Sequence, residues 1–174
     1  MEDTLLRVRP ILETTPTRWV NLTKAIPFDL LSEAPAPGQW SALQCLQHLV
    51  DIERVFQSRL RAFREGHDFS AFNPDEEGTK TDESTSSDLA TRLVNEFSRL
   101  RSESLRQLSA ITPEDYALRS RHSELGPVTL NQMLNEWAAH DLNHTVQAEE
   151  ALMQPFIKAC GPWRNYFTAH IIGG

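Results

Sequence analysis

Cysteine is nearly missing from this chain: Cys45 and Cys160 are the only two in 174 residues. They are too few for a disulfide framework and form no CxxC pair. Glycine is also sparse, with 7 residues, and strand-like runs are few, which points away from a β sandwich. Positive charge is short as well. Lys and Arg total 17 against 24 Asp and Glu, a net charge of −7 with no offsetting basic cluster. Duplex nucleic acid is held mainly by Lys and Arg neutralising phosphates, so this balance argues against it as a partner. No stretch approaches the roughly 18–20 apolar residues that span a bilayer. The acidic start Met1-Glu2-Asp3 is followed by no uninterrupted apolar segment of signal-peptide type. The expectation is a cytoplasmic protein without membrane attachment. There is no GxSxG elbow and no glycine-rich phosphate loop. A di-iron bundle needs Glu-x-x-His on two helices, and the nearest string, Asp141-Leu142-Asn143-His144, is a single Asp version.

What is present reads as one ordinary globular domain over residues 1–174, with 40% hydrophobic and 24% charged residues, enough for a single sizeable core. Four long helical segments can be traced. Thr15-Pro16 supplies a cap and first-turn proline for a helix carrying Trp19, Val20 and Leu22 and stopping before Pro27. Residues 1–13 extend it backwards with a break near Pro10. A proline-rich stretch through Pro35, Pro37 and Gly38 leads to Trp40. Ser41 with Gln44 fits a capping box, opening a second helix to about Glu65, ended by Gly66. Its apolar stripe is Leu46, Leu49, Phe56, Leu60 and Phe63. Residues 66–86 are polar and read as a long loop. A third helix begins near Ser87 with Leu89, Leu93, Phe97, Leu100, Leu108 and Ile111 on one side, and Thr112-Pro113-Glu114-Asp115 ends it. Thr129 caps a fourth helix ending near Pro155. The tail with Phe156, Ile157, Trp163, Tyr166 and Phe167 is apolar enough to pack as a short closing helix. The expected fold is all-α, a four-helix bundle with that closing helix.

The chemistry concentrates on histidine. His140 and His144 are one turn apart on the stripe Leu130, Met133, Trp137, His140, His144, Ala148, Ala151. Two imidazoles aimed into a core must each find a partner, because an unpaired buried polar group costs roughly 1–3 kcal/mol. Two readings satisfy them: hydrogen bonds to two buried partners, or a divalent metal with a third ligand from another helix. His48 falls about 100° from the centre of the second helix's stripe, at ~100° per residue. It is either a partly exposed boundary residue or one that faces a neighbouring helix. Asp51, three residues on, could orient its ring, as carboxylates commonly do behind metal-bound imidazole. Glu136, four residues before His140, is a candidate acid or base. Glu53 lies on the apolar seam and needs a buried partner such as an arginine. Cys45, one turn before His48, is a candidate soft ligand but reads better as a small buried hydrophobe; Asp141 and Glu149 read as solvated, and His67, His122 and His170 as surface residues.

Two runs carry a resemblance. Pro37-Gly38-Gln39-Trp40-Ser41 with Cys45 through Phe56, and Thr129 through Glu136 with Ala139-His140-Asp141-Leu142-Asn143-His144, resemble the two motifs of the DinB-like bundle proteins, over about residues 12–167. The resemblance implies a four-helix bundle in which His48, His140 and His144 hold one divalent ion, commonly zinc or nickel. Some relatives carry glutamate where His140 stands, so the all-histidine version resembles the thiol S-transferase branch. That broader family includes S-transferases using bacillithiol or mycothiol and a maleylpyruvate isomerase. Its name refers to induction by DNA damage, not to a polymerase.

Two functions of different class follow. In one, an enzyme uses the ion's open position to bring water or a low-molecular-weight thiol toward ionisation, giving hydrolysis or transfer to a small-molecule electrophile. In the other, a metal-stabilised, homodimeric stress or binding protein turns nothing over.

Overall fold

The computed structural model describes residues 3–74 and 87–173. Helix α1 spans Thr4–Ala25 and α2 Phe28–Ser32. Helix α3 runs Ala42–Glu65, α4 Ser87–Leu108 and α5 Leu130–Ala159. A 3-10 turn over Pro113–Ala117 and a hairpin, β1 (Arg119–His122) with β2 (Gly126–Thr129), connect α4 to α5. A second 3-10 segment, Gly161–His170, follows α5. The long helices form a bundle in which α1 and α3 each pack against both α4 and α5. The first two long helices, α1 and α3, therefore sit on one diagonal, and α4 and α5 on the other.

Capping fixes the two helices that matter most. Ser41 and Gln44 form a reciprocal capping box at the start of α3, and Gly66 closes it in the left-handed conformation, φ 71°, which glycine adopts without a Cβ clash. Thr129 and Gln132 form the same box at the start of α5. The expected apolar stripes all turn inward, and Phe56 stacks on Trp137 with centroids 4.5 Å apart at the centre of the core.

Helix α1 departs from expectation. It begins at Thr4 on the Asp3 cap and passes both prolines unbroken; Thr15 is no cap, its hydroxyl donating back to the Ile11 carbonyl at 2.9 Å. An interior proline strands the carbonyl four residues earlier. For Pro16 that is Leu12, whose carbonyl accepts instead from Arg101 Nη1 at 2.9 Å. For Pro10 it is Leu6, which is solvent-exposed. Helix α5 likewise passes Pro155 and stops at Ala159.

The C-terminal segment is helical but does not bury its aromatics. Trp163 and Tyr166 are 64% and 82% exposed. It is held to the end of α5 by polar contacts, Gln154 donating to the His170 carbonyl and accepting from Ile172 N–H. The hairpin and the short helix α2 carry no expectation from the sequence. Of the long polar loop, residues 75–86 lie outside the described residues. Residues 68–71 run beside β1, with Phe69 bridged to His122. No helix of the described residues is long and apolar enough to cross a membrane.

Candidate metal centre

His48 is on the second turn of α3, while His140 and His144 share one face of α5. Packing of α3 on α5 brings the three rings together, with centroids 4.4–5.0 Å apart. One nitrogen from each lies within 4.8 Å of the others. The face that periodicity left undecided for His48 is thus turned to α5. Trp40, just before the Ser41 cap, stacks on His144 and tilts against His48. Phe56 meets His140 edge-on.

The three imidazoles have the chemistry of a ligand set. Burial and the neighbouring rings hold the His48 pKa down to about 4 and that of His140 to about 3, and burial lowers His144 as well. All three are neutral near pH 7, the form that binds metal. His48 Nε2 and His140 Nε2 face each other at 3.1 Å. Two nitrogens bound tetrahedrally at zinc-like distances would be ~3.3 Å apart. His144 Nδ1 pairs with Gln147 Oε1 at 2.8 Å, which leaves its Nε2 for an ion. A ligand imidazole anchored through its other nitrogen is the usual arrangement. His140 Nδ1 is buried with no partner among the described residues. Three desolvated rings with nitrogens converging are costly alone, and a cation gathering their lone pairs offsets that cost. The residues fit a divalent ion.

A pocket of about 470 Å³ opens onto all three histidines. Its walls are mostly apolar, including Trp40, Ile52, Phe69, Phe72 and Met133, and Glu136 and Arg59 also line it. Glu136 sits one turn before His140. Desolvation raises its pKa, against the pull of the Arg59 charge. Asp51 is buried beside His48, and its carboxylate accepts from Gln47 and Arg54, both at 3.3 Å. It is not among the pocket-lining residues. Cys45 is fully buried and its thiol is pushed up to about 12, as a small apolar residue should be.

Beneath the histidines lies a buried ion triad. Arg101, 1% exposed, holds Glu53 through Nε and Nη2 at 2.9 and 2.8 Å and Asp141 through Nη1 and Nη2 at 2.6 and 2.9 Å. Trp137 Nε1 donates to Glu53 at 3.3 Å. Glu53 has the arginine its position demanded. Asp141, expected in solvent, is fully buried instead: it lies off the histidine stripe, toward α4, where Arg101 meets it.

His122 is the other correction. It is 7% exposed, not a surface residue, because β1 carries it beneath Phe69 and into the pocket wall. Four-residue strands leave too short a pattern to reveal this. Arg59 had a readable signal: it is eleven residues after His48, close to three whole turns, and so lies on the same side of α3. His67 and His170 are exposed, as expected.

Among curated proteins, none matches the chain in sequence. Among solved structures, YfiT from Bacillus subtilis is similar with a TM-score of 0.77 at 16% identity, over 90% of this chain and 89% of that one. That protein is described as a probable metal-dependent hydrolase with an unusual four-helix bundle topology. The family model of the DinB superfamily matches residues 11–148, most of the chain and all three clustered histidines. The chain belongs to the DinB superfamily.

Proposed function

We propose that this protein is a metal-dependent hydrolase acting on a small molecule, with one divalent ion held by His48, His140 and His144. The observation that carries the reading is the convergence of three neutral imidazoles in the lining of a mostly apolar pocket of about 470 Å³. Three protein ligands and an open position are the plan of catalytic sites, whereas structural sites are closed by a fourth ligand. When bound, the ion would supply a Lewis acid and bring water toward ionisation near neutral pH.

The remaining roles belong to side chains of this chain. Glu136 takes a proton at its carboxylate and returns it to the leaving group, a role suited to a carboxyl whose pKa is raised toward the working pH. Trp40 and Phe69 line the pocket with apolar rings, and a desolvated setting of that kind strengthens electrostatic effects within it. Gln147 fixes the His144 ring through Nδ1.

The test is metal content and ester or amide hydrolysis, measured on protein purified without added metal, beside His140→Ala and Glu136→Gln. The reading expects metal and activity in the wild type, neither in His140→Ala, and metal without activity in Glu136→Gln. Activity only when a low-molecular-weight thiol is supplied would replace hydrolysis with S-transfer at the same centre. A site that loads metal but turns over neither class would favour a binding protein.

A further inference from the structure

We propose that Arg59 and His122 form a carboxylate-binding subsite in the wall of this pocket, so that the molecule accepted is an apolar acid. The inference rests on reading the pocket as the substrate site, but not on the metal. Among the described residues, Arg59 is the one Arg or Lys that lines the pocket. Its guanidinium sits over the Phe69 ring at 5.3 Å, and its Nε is buried without a hydrogen-bond partner among the described residues. No described carboxylate forms an ion pair with it; Glu136 acts on it only at longer range.

His122 faces it in an unusual way. The ring's Nδ1 accepts from the backbone N–H groups of Glu124 at 3.2 Å and Leu125 at 3.3 Å. Two donors at Nδ1 assign the proton of the neutral ring to Nε2. That Nε2 lies 3.5 Å from Arg59 Nη2. Two donors therefore face each other with no acceptor between them among the described residues. An oxygen that accepts from both resolves the conflict, and an anionic oxygen does so with charge-assisted bonds in a desolvated setting.

The class of anion follows from the surroundings. One permanent cation and one neutral imidazole balance a single negative charge. The carboxylates of Glu124 and Glu136 line the same pocket and oppose a dianion such as phosphate. Phe69, Phe72, Leu125 and Val128 offer an apolar wall to the rest of the molecule. A monocarboxylate on an aromatic or aliphatic body fits, with its acid group at Arg59 and the remainder directed along the pocket toward the histidines.

The experiment titrates chelator-treated full-length protein with benzoate, and separately with benzamide and inorganic phosphate, followed by calorimetry. The subsite predicts that benzoate binds at least about tenfold more tightly than benzamide, ~1.4 kcal/mol of discrimination. Arg59→Gln and His122→Ala should each abolish that preference. Arg59→Lys, which keeps the charge but loses the fork, should retain only part of it. The double variant His140→Ala, His144→Ala, whatever it does to overall affinity, should keep the benzoate-over-benzamide preference, so a failed metal site leaves this test intact. Circular dichroism checks the fold of each variant, and the benzoate-to-benzamide ratio in the wild type stands without any variant. Equal binding of benzoate and benzamide would overturn the proposal. So would phosphate binding more tightly than benzoate, or a benzoate preference lost with the histidines and kept in Arg59→Gln.

Discussion

Replacing Arg101 with methionine should be the most damaging single change in the bundle. All five guanidinium N–H groups are used, four on the carboxylates of Glu53 and Asp141 and one on the Leu12 carbonyl that Pro16 leaves open. Both carboxylates are 0% exposed. Methionine fills much of the volume but strands two buried acids and one carbonyl. Breaking a buried ion pair by removing one partner costs about 3–5 kcal/mol, and an orphaned buried carbonyl adds about 1–3 kcal/mol. Because these effects overlap in one site, we expect a loss of about 4–6 kcal/mol, a large share of the roughly 5–15 kcal/mol typical of a domain.

Urea unfolding at about pH 7.5 should show this as a lower midpoint with an unchanged slope. At about 2–4 °C per kcal/mol for a chain of this size, the thermal midpoint should fall by about 8–24 °C. The triple variant Arg101→Met, Glu53→Gln, Asp141→Asn should recover more than half of the loss. Its neutral amides leave no charge uncompensated, and the carboxamide oxygen that replaces the Glu53 carboxylate can still accept from Trp137. A loss below about 1 kcal/mol in Arg101→Met, or a triple variant no better than the single one, would refute the account of the triad.

Four further outcomes can be checked directly. The wild type should carry one divalent ion per chain by elemental analysis, and His140→Ala with His144→Ala should carry none. At a hundredfold excess over its dissociation constant, the ion should raise stability by about 2.7 kcal/mol, and a melting temperature unmoved by metal or chelator would contradict this. In chelator, stability should fall as the pH is lowered: His48 and His140 titrate near 4 and 3 when folded but near 6.5 when unfolded. The unfolded chain therefore takes up protons first, so their contribution is whole above about pH 6.5 and lost on descent toward about pH 4, at ~1.4 kcal/mol per unit for each proton. A urea midpoint that stays flat between about pH 7 and 5 would count against buried neutral rings. Duplex DNA should show no specific binding at physiological salt, given the net charge of −7, and submicromolar binding that weakens steeply with salt would overturn that expectation.

The parts legible in the sequence are those with local, periodic causes. The capping boxes at Ser41 and Thr129, the glycine stop at Gly66 and the inward stripes each depend on residues within a turn or two of one another. The histidine pair on α5 was readable for the same reason. Its partnership with His48 was not, since which flank of α3 meets α5 is decided by packing across 92 residues of chain; family resemblance supplied that link. Where local rules failed, a distant group had intervened. Pro16 looked like a helix start because an interior proline strands a carbonyl, and Arg101, 89 residues away, satisfies it. Asp141 looked solvated because nothing nearby in sequence accounts for a buried acid. His122 was invisible because its burial depends on a hairpin with two four-residue strands and on Phe69 from another segment.

The same long-range group links stability to the site. Asp141 follows His140 directly, and Glu53 lies five residues beyond His48, so the triad grips both histidine-bearing helices just behind the ring cluster. A purely apolar seam would allow α3 and α5 to slide or rotate at modest cost, because hydrophobic contact is not directional. A bidentate guanidinium permits no such freedom: a shift of one residue on either helix would break charge-assisted bonds on both sides. Nitrogens that converge within 4.8 Å from two helices need that register. Arg101→Met should therefore weaken metal affinity even at temperatures where the variant is fully folded. A destabilising truncation that leaves the triad intact, such as Leu108→Ala in the buried last turn of α4, should not. Equal metal affinity in Arg101→Met and Leu108→Ala, both measured well below their melting temperatures, would confine the triad's role to stability.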